Sequence, residues 1–439
     1  MLLIYTRKIT NRVRYVFNLF FNTIIGVNFQ LTTNAEEFAN YTGPKLNYSL
    51  HLFKDELFFQ SSNLLFESGI IDQNIRVTEW RGEKIFFTSG KNAVFPFDVF
   101  AASFYLVSRY EEYLPHIRDE YDRFEPKESV AFQHNFLEKP VVNTWAAWIK
   151  ELLLIRYPHL TFNNRKYEFI STIDIDSAYA YREKGFMRTV GGYFKSILKL
   201  DFSAISERTK VLMGFKKDPY DTYHYQLELQ KKYNVKTIYF FLLGDYGVND
   251  KNLPTESLRF QYLIKMLGDY APVGIHPSFN SNNNTVQLKR EIFRLSKIVH
   301  REVTKSRQHF LKLSLPETYR NLIDFDITDD YTMGYASQMG FRAGICTPYN
   351  FYDLDNELET KLKIHPFQLS ESNLRQLYTK SPAQAVVKMK QMIDEVKKVN
   401  GTFISLWRNE AFANSLGGWE GANELYEKML VEAKIPDSK

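Results

Sequence analysis

Apolar residues recur at helical spacing in some stretches of the chain and in short alternating or continuous runs in others. In residues 1 to 160 the pattern is mixed. Leu2–Tyr5 reads as a strand, and Thr10 is placed to cap a helix that carries Val13, Val16, Phe17, Phe20, Phe21 and Ile24 on one side. Alternating runs at Leu46–Phe53, Glu56–Phe59, Arg76–Glu79 and Lys84–Thr88 are bounded by Asn, Gly or Asp and predict short strands. Helical spacing returns within Phe97–Glu112 and within Val142–Arg156, where Trp145, Trp148, Ile149, Leu152 and Leu153 share a side. This part is expected to be a smaller α+β module. Ser108–Phe124, dense in Arg, Glu and Tyr, reads mostly as a solvated face with ion pairs.

Residues 161 to 439 show a different rhythm. Strand-like runs at Tyr167–Ile173, Val235–Leu243, Pro272–His276, Phe310–Leu313 and Thr402–Trp407 alternate with helical stretches at Asp221–Tyr233, Leu258–Tyr270, Val286–Thr304 and Pro382–Asn400. Such alternation predicts parallel strands with helices outside them. A closed or partly closed α/β barrel and an open doubly wound sheet both fit. In either, chemistry collects at the C-terminal ends of the strands.

Composition narrows the classes. Hydrophobic residues make up 44% and charged residues 24% of the 439, so the chain can bury large cores. A net charge of +5 is too weak at this length to argue for nucleic acid. The single cysteine, Cys346, excludes a disulfide scaffold and fits a reducing compartment. The apolar run near the N-terminus is broken by Asn18, Asn22 and Thr23, with no small-residue cleavage site after it. No run of about 18 apolar residues occurs, so no membrane span is expected and a cytoplasmic location is. Aromatic content of 16% suits sugar handling and aromatic cores equally.

Strand ends then pick out candidate chemistry. The first long strand ends in STIDID, which puts Asp174 and Asp176 two apart on extended backbone. Their side chains share a side, with Cα atoms about 6.5–7 Å apart. One carboxylate can hold a metal while the other holds or deprotonates a water; the alternative is a pair that caps the following loop. VGIHPS supplies His276, and Gly274 before it implies close backbone approach. SRQHF supplies Arg307 and His309; Arg307 beside a buried Asp would hold it ionised, or else makes a surface ion pair. LWRNE supplies Trp407, Arg408, Asn409 and Glu410. No H-E-x-x-H, phosphate-binding loop or G-x-S-x-G elbow occurs, which leaves metal-assisted hydrolysis by Asp and His.

These residues resemble the motif set of the polysaccharide deacetylases of the NodB-homology type, carbohydrate esterase family 4. TIDID resembles the D-x-D motif, VGIHPS the metal-binding His motif, SRQHF the R-x-P-aromatic motif, MGYASQMGFRAG the fourth motif region, and ISLWR the final L-x-His strand. Residues 1 to 160, through LVSRYEEYLP, RFEP and KPVV, are similar to a module that precedes this domain in a Bacteroidetes-type subgroup. The resemblance implies a distorted (β/α) barrel. It implies Asp174 as base, Asp176 and His276 as ligands of a divalent metal, commonly zinc, and Arg307 as the group orienting the base. The implied activity is N-deacetylation of an acetylated amino sugar in a polysaccharide or glycan precursor, with the Phe310 N–H helping to stabilise the oxyanion. Tyr179, Tyr181, Tyr349 and Trp407 are candidates for stacking on a sugar.

Two positions depart from the family. Its second metal His falls on Asn280, a poor zinc ligand, which leaves two protein ligands plus water or makes His309 the third. Its general-acid His falls on Arg408, which stays protonated and cannot hand over a proton. Arg408 would then bind an anionic sugar or phosphate, and the acid would be Asp174, His309, His365 or metal-bound water. A competing reading is a catalytically impaired glycan-binding or regulatory protein on the same fold. A different metal-dependent amidohydrolase is the third.

Overall fold

The computed structural model describes residues 1–413 and 418–434. Four strands of the N-terminal part, β1 (Leu2–Thr6), β2 (Phe29–Thr32), β3 (Lys45–Ser49) and β4 (Leu57–Gln60), form a wholly parallel sheet in the order β2-β1-β3-β4. A hairpin, β5 (Thr78–Trp80) and β6 (Glu83–Ile85), stands beside it. The Thr10 hydroxyl caps the helix Asn11–Phe17 by accepting from the Val13 N–H at 3.1 Å, as its position predicts. The helices Val99–Val107 and Val141–Arg156 bury the apolar sides read from the sequence.

The second sheet has nine strands. They are β7 (Glu168–Ile175), β8 (Lys236–Phe241), β9 (Val273–Ile275), β10 (Lys305–Ser306), β11 (Asp329–Asp330), β12 (Tyr349–Asp353), β13 (Leu358–Ile364), β14 (Leu369–Ser370) and β15 (Thr402–Arg408). The order is β12-β13-β11-β10-β9-β8-β7-β15-β14, parallel except for the β12–β13 pair. The ladder does not close: β12 and β14 are its edges, so no closed barrel forms among the described residues.

That sheet is nevertheless curled. Strands β7 and β10 are three ladder steps apart, about 14 Å in a flat sheet. Yet Arg307, just after β10, reaches Asp174 on β7 at 3.1 Å. Similarly, Phe240 on β8 meets Tyr331, just after β11, with ring centroids 5.4 Å apart. The concave side holds a small core of Ile238, Phe240, Leu311, Tyr331, Phe367, Ile404 and Leu406. Gly274 sits where the curl is tight: a Cβ there would lie 2.6 Å from the Phe240 ring and 2.8 Å from the Lys305 carbonyl. That is the close approach its place in a strand predicts.

Two expectations are corrected here. Phe310–Leu313 is no strand; His309–Leu311 form a tight turn, and the strand of this unit is the two-residue β10. In Ser108–Phe124, Arg118 and Asp122 are exposed partners as expected, but Arg109, Glu111 and Glu112 are buried. Glu112 accepts from Arg109 Nε at 2.7 Å and from Arg342 Nε and Nη2 at 2.9 and 2.6 Å. Arg109 also donates to the Arg342 carbonyl and to the Tyr335 hydroxyl, so this cluster joins the N-terminal part to the loop before β12. The apolar core runs through both parts without a break.

Burial alone would raise the Glu112 carboxyl, but Arg342 and Arg109 outweigh it and bring it down to about 2. A lowered carboxyl stabilises the fold fully above its unfolded value, near 4.3, and loses that contribution as pH falls towards 2. Glu112→Ala leaves the buried Arg342 guanidinium without its carboxylate and Arg109 with Glu111 alone, and is expected to cost about 3–5 kcal/mol, measured by urea unfolding at neutral pH. The gap between wild type and variant should narrow as the pH drops below about 4.

Candidate functional site

Register assembles the site. On β15, Arg408 lies opposite Asp174 of β7, and on β9, Ile275 lies opposite Ser306 of β10. His276 and Arg307 therefore leave the sheet side by side, at the C-terminal ends where the alternation predicted chemistry. Arg307 is fully buried. Its Nε donates to the Tyr331 carbonyl at 3.0 Å and its Nη1 to Thr172 and to Asp174 Oδ1, while its guanidinium lies over the Phe240 ring at 4.8 Å.

Asp176, His276 and His309 converge, with ligand atoms all within 4.8 Å of one another. His276 Nε2 is 3.2 Å from Asp176 Oδ1, and His309 Nε2 is 3.8 Å from Asp176 Oδ2. Each ring is fixed from behind. His276 Nδ1–H donates to the Arg307 carbonyl, and His309 Nδ1–H donates to Asp250 Oδ1 at 2.8 Å. The backing acceptors set the tautomers, leaving both Nε2 lone pairs aimed at Asp176. Asp176 Oδ1 is buried and accepts no hydrogen bond among the described residues. An array of lone pairs and a carboxylate oxygen facing one another requires positive charge between them, and one carboxylate with two imidazoles suits zinc or a similar divalent ion. Protons answer the same demand. Burial lowers the His309 pKa, but Asp176 and then Asp250 outweigh it and bring it to about 9. Asp176 is held well below the usual carboxylate range: burial opposes this, and His309 and His276 prevail.

The cluster lines a cavity of about 590 Å³ together with Asp174, Tyr220, Phe310, Arg408 and Glu410. Asp174, Asp176, His276, His309 and Arg408 thus line one cavity, with Arg307 behind Asp174. Arg408 is held by Glu371 and lies 3.7 Å from Glu410. Glu410 is raised to about 7, by burial first and then by Asp176.

Asn280, expected to be a poor ligand, supplies none, and several other candidates fall outside the cavity. Asn280 is exposed; its N–H bonds Asp250 at 3.2 Å, and it lies outside the cluster. His365 stacks on Tyr331 with its Nε2 on Asp329, away from the cavity, so it is no candidate acid. Tyr179, Tyr181, Tyr349 and Trp407 are buried core residues, and the aromatics at the cavity are Tyr220 and Phe310.

Two contributors, Asp250 and Arg123, escaped sequence reading, and Glu410 was named there without a role. Asp250 follows β8 in a loop, and only its place after a strand end could have flagged it. Glu410 was visible in LWRNE but carried no motif. Arg123 reaches over from the N-terminal part, donating to the Phe310 carbonyl at 2.7 Å, and lines the cavity.

Residues 2–158 match a family of unknown function, DUF7033. No curated protein matches the chain. Among solved structures the chain is similar to a protein from Mycobacterium smegmatis assigned as a polysaccharide deacetylase, at 12% identity and a TM-score of 0.40, covering 63% of this chain and 87% of that one. It is similar to the polysaccharide deacetylase of Bacillus cereus at 12% identity and a TM-score of 0.29, covering 61% and 88%. It is also similar to a family 4 carbohydrate esterase pseudoenzyme of Bacillus anthracis at 10% identity and a TM-score of 0.30, covering 62% and 63%.

Zinc titration against a chromophoric chelator checks the centre. His309→Ala and Asp176→Asn should each lose zinc affinity by at least about 100-fold, and Asp250→Asn by about 10- to 100-fold. Asn280→His should change nothing. Because His309 must shed a proton to bind, affinity should rise with pH up to about 9 and then level off.

Proposed function

We propose that the chain is a metal-dependent hydrolase that removes the acetyl group from an N-acetylated amino sugar in a polysaccharide or glycan precursor. The observation that carries this reading is the meeting of Asp174, tied to Arg307, with the Asp176–His276–His309 cluster in one open cavity. The motif order in the sequence supports the same class. A divalent cation held by Asp176, His276 and His309, zinc by preference, supplies Lewis acidity towards water and the acetamide carbonyl.

The chain's own residues do the rest. Asp174, aimed by Arg307, takes the proton of the attacking water. The Phe310 N–H, which has no acceptor among the described residues, is offered to the developing oxyanion. As the C–N bond breaks, the nitrogen needs a proton. Arg408 cannot give it, and Glu410, on the same cavity wall, is the group that can. Acetate and the free amine then leave. Arg408 fixes Glu410 from one side and presents a cation to an anionic substituent of the substrate. Tyr220 offers a face to the sugar ring. A cytoplasmic location belongs to the same reading, since buried Cys346 needs no partner there.

One observation favours the impaired, glycan-binding alternative: Arg408 stands opposite the base where a proton donor is expected. Acetate release from N-acetylglucosamine oligomers and nucleotide-linked N-acetyl sugars decides between them. Wild type loaded with zinc should release acetate, Asp174→Asn should lose at least about 100-fold, and Glu410→Gln about 100-fold with little change in KM. Zinc binding without acetate release from any of these substrates would favour the binding protein.

A further inference from the structure

The paired helices Phe186–Leu198 and Phe202–Leu212 wear their amphipathicity inside out. On the first, Phe186, Val190, Phe194 and Ile197 recur at three- and four-residue steps and form a stripe, flanked by Met187 and Leu198. That stripe faces solvent: Phe186 is 80% exposed and Phe194 62%. The opposite side, with Thr189, Gly192, Tyr193 and Ser196, packs on the second helix through polar and small groups. The Tyr193 hydroxyl meets the Thr209 hydroxyl at 2.9 Å, and Arg208 donates to the Thr189 carbonyl at 3.2 Å. Gly192 leaves no room for a Cβ beneath the Arg208 guanidinium. Leu200, Phe202, Met213 and Phe215 extend the exposed apolar surface around the turn and past the second helix.

Scattered exposed apolar side chains are ordinary, but a continuous patch of this size marks an interaction surface. Its charge says which kind. Between Lys184 and Lys217 there are eight basic and two acidic residues, a net of +6, against +5 for the whole chain. Lys195, Lys199 and Lys210 are exposed beside the apolar stripe. An apolar face rimmed by lysines is the signature of a helix that lies in a membrane interface. Thirteen residues of helix span about 20 Å, too little to cross a bilayer, and no helix among the described residues is long and apolar enough to do so. A second copy would bring two such basic faces together, which repel.

We propose that this helical pair docks the protein on an anionic lipid surface, with the apolar stripe at the acyl boundary and the lysines on the headgroups. The pair is tied to the cavity rim. Arg188 donates to the carbonyls of Asn252 and Lys251 at 2.8 and 3.2 Å and stacks on Tyr246 at 4.1 Å. Lys184, Val248 and Lys251 line the cavity. The docked face and the cavity mouth therefore share one edge of the molecule.

Vesicle co-sedimentation of the full chain tests this without reference to activity. The protein should sediment with phosphatidylcholine vesicles containing about 30% phosphatidylglycerol at least about tenfold more than with pure phosphatidylcholine, and high salt should weaken that difference. Phe194→Ser with Ile197→Ser should cut binding to the anionic vesicles at least about tenfold. Lys195→Glu with Lys199→Glu should abolish the preference for anionic lipid. All four positions are exposed, so melting temperature and zinc binding should stay as in wild type. No sedimentation with either vesicle would overturn the proposal. So would self-association in the absence of lipid that the Phe194 and Ile197 substitutions abolish, since the face would then belong to a second copy.

Discussion

Arg307 is the constraint on which the site rests. A fully buried guanidinium must have its charge answered, and Asp174 is the carboxylate that answers it. That pair pulls β10 towards β7 across the concave side and so helps to fix the curl of an unclosed sheet. The same residue acts through its backbone. Its carbonyl takes the Nδ1–H of His276 and commits that ring to present its other nitrogen to Asp176. One side chain and one carbonyl of Arg307 thus orient both the proposed base and one proposed ligand, which keeps the two halves of that chemistry in fixed register.

Among the many contacts that join the N-terminal part to this arrangement, two bear on buried charge and on the cavity. The Arg109–Glu112–Arg342 cluster locks it to the loop that precedes β12, with every charge buried and answered. Nearer the cavity, Arg123 holds the Phe310 carbonyl and Tyr121 packs on the Phe310 ring, tilted by 40° with centroids 4.9 Å apart. Residues 1–160 therefore do more than precede the nine-stranded sheet; Arg123 forms part of the cavity wall.

The long elements were legible in the sequence because their periodicity was long enough to read. Leu258–Tyr270 and the Thr402 strand fall where the apolar pattern puts them. Motif order likewise brought Asp174, Asp176, His276, Arg307 and His309 into view, because each sits at the end of a strand. Strands of two residues, β10 and β11, have no period to detect, so Phe310–Leu313 looked like the missing strand. Asp250 and Arg123 join the site only through folding, across 59 and 187 residues from their partners His309 and Phe310. The buried charges of Arg109, Glu111 and Glu112 read as solvated because composition cannot say that Arg342 will arrive opposite them. The paired helices at Phe186–Leu212 went unread for the opposite reason. Their apolar spacing is helical, but spacing alone does not say which side meets solvent.

His309, the third ligand of the proposed centre, shows how backbone geometry can replace a motif. Asn280 lies on an exposed turn, and its N–H is spent on Asp250. His309 enters instead from a turn in which the next two residues, Phe310 and Leu311, both adopt left-handed φ, 59° and 55°. Non-glycine residues in that region cost about 1–3 kcal/mol each, and they persist only where surrounding contacts outweigh the strain. Those contacts are present: the His309 N–H donates to the Pro277 carbonyl at 3.0 Å, Arg123 takes the Phe310 carbonyl, and Tyr121 and Phe279 pack on the Phe310 ring. Asp250 then does double service, accepting the Phe279 and Asn280 N–H groups and the His309 ring together. The position that could not supply a ligand therefore helps to hold the carboxylate that aims its substitute.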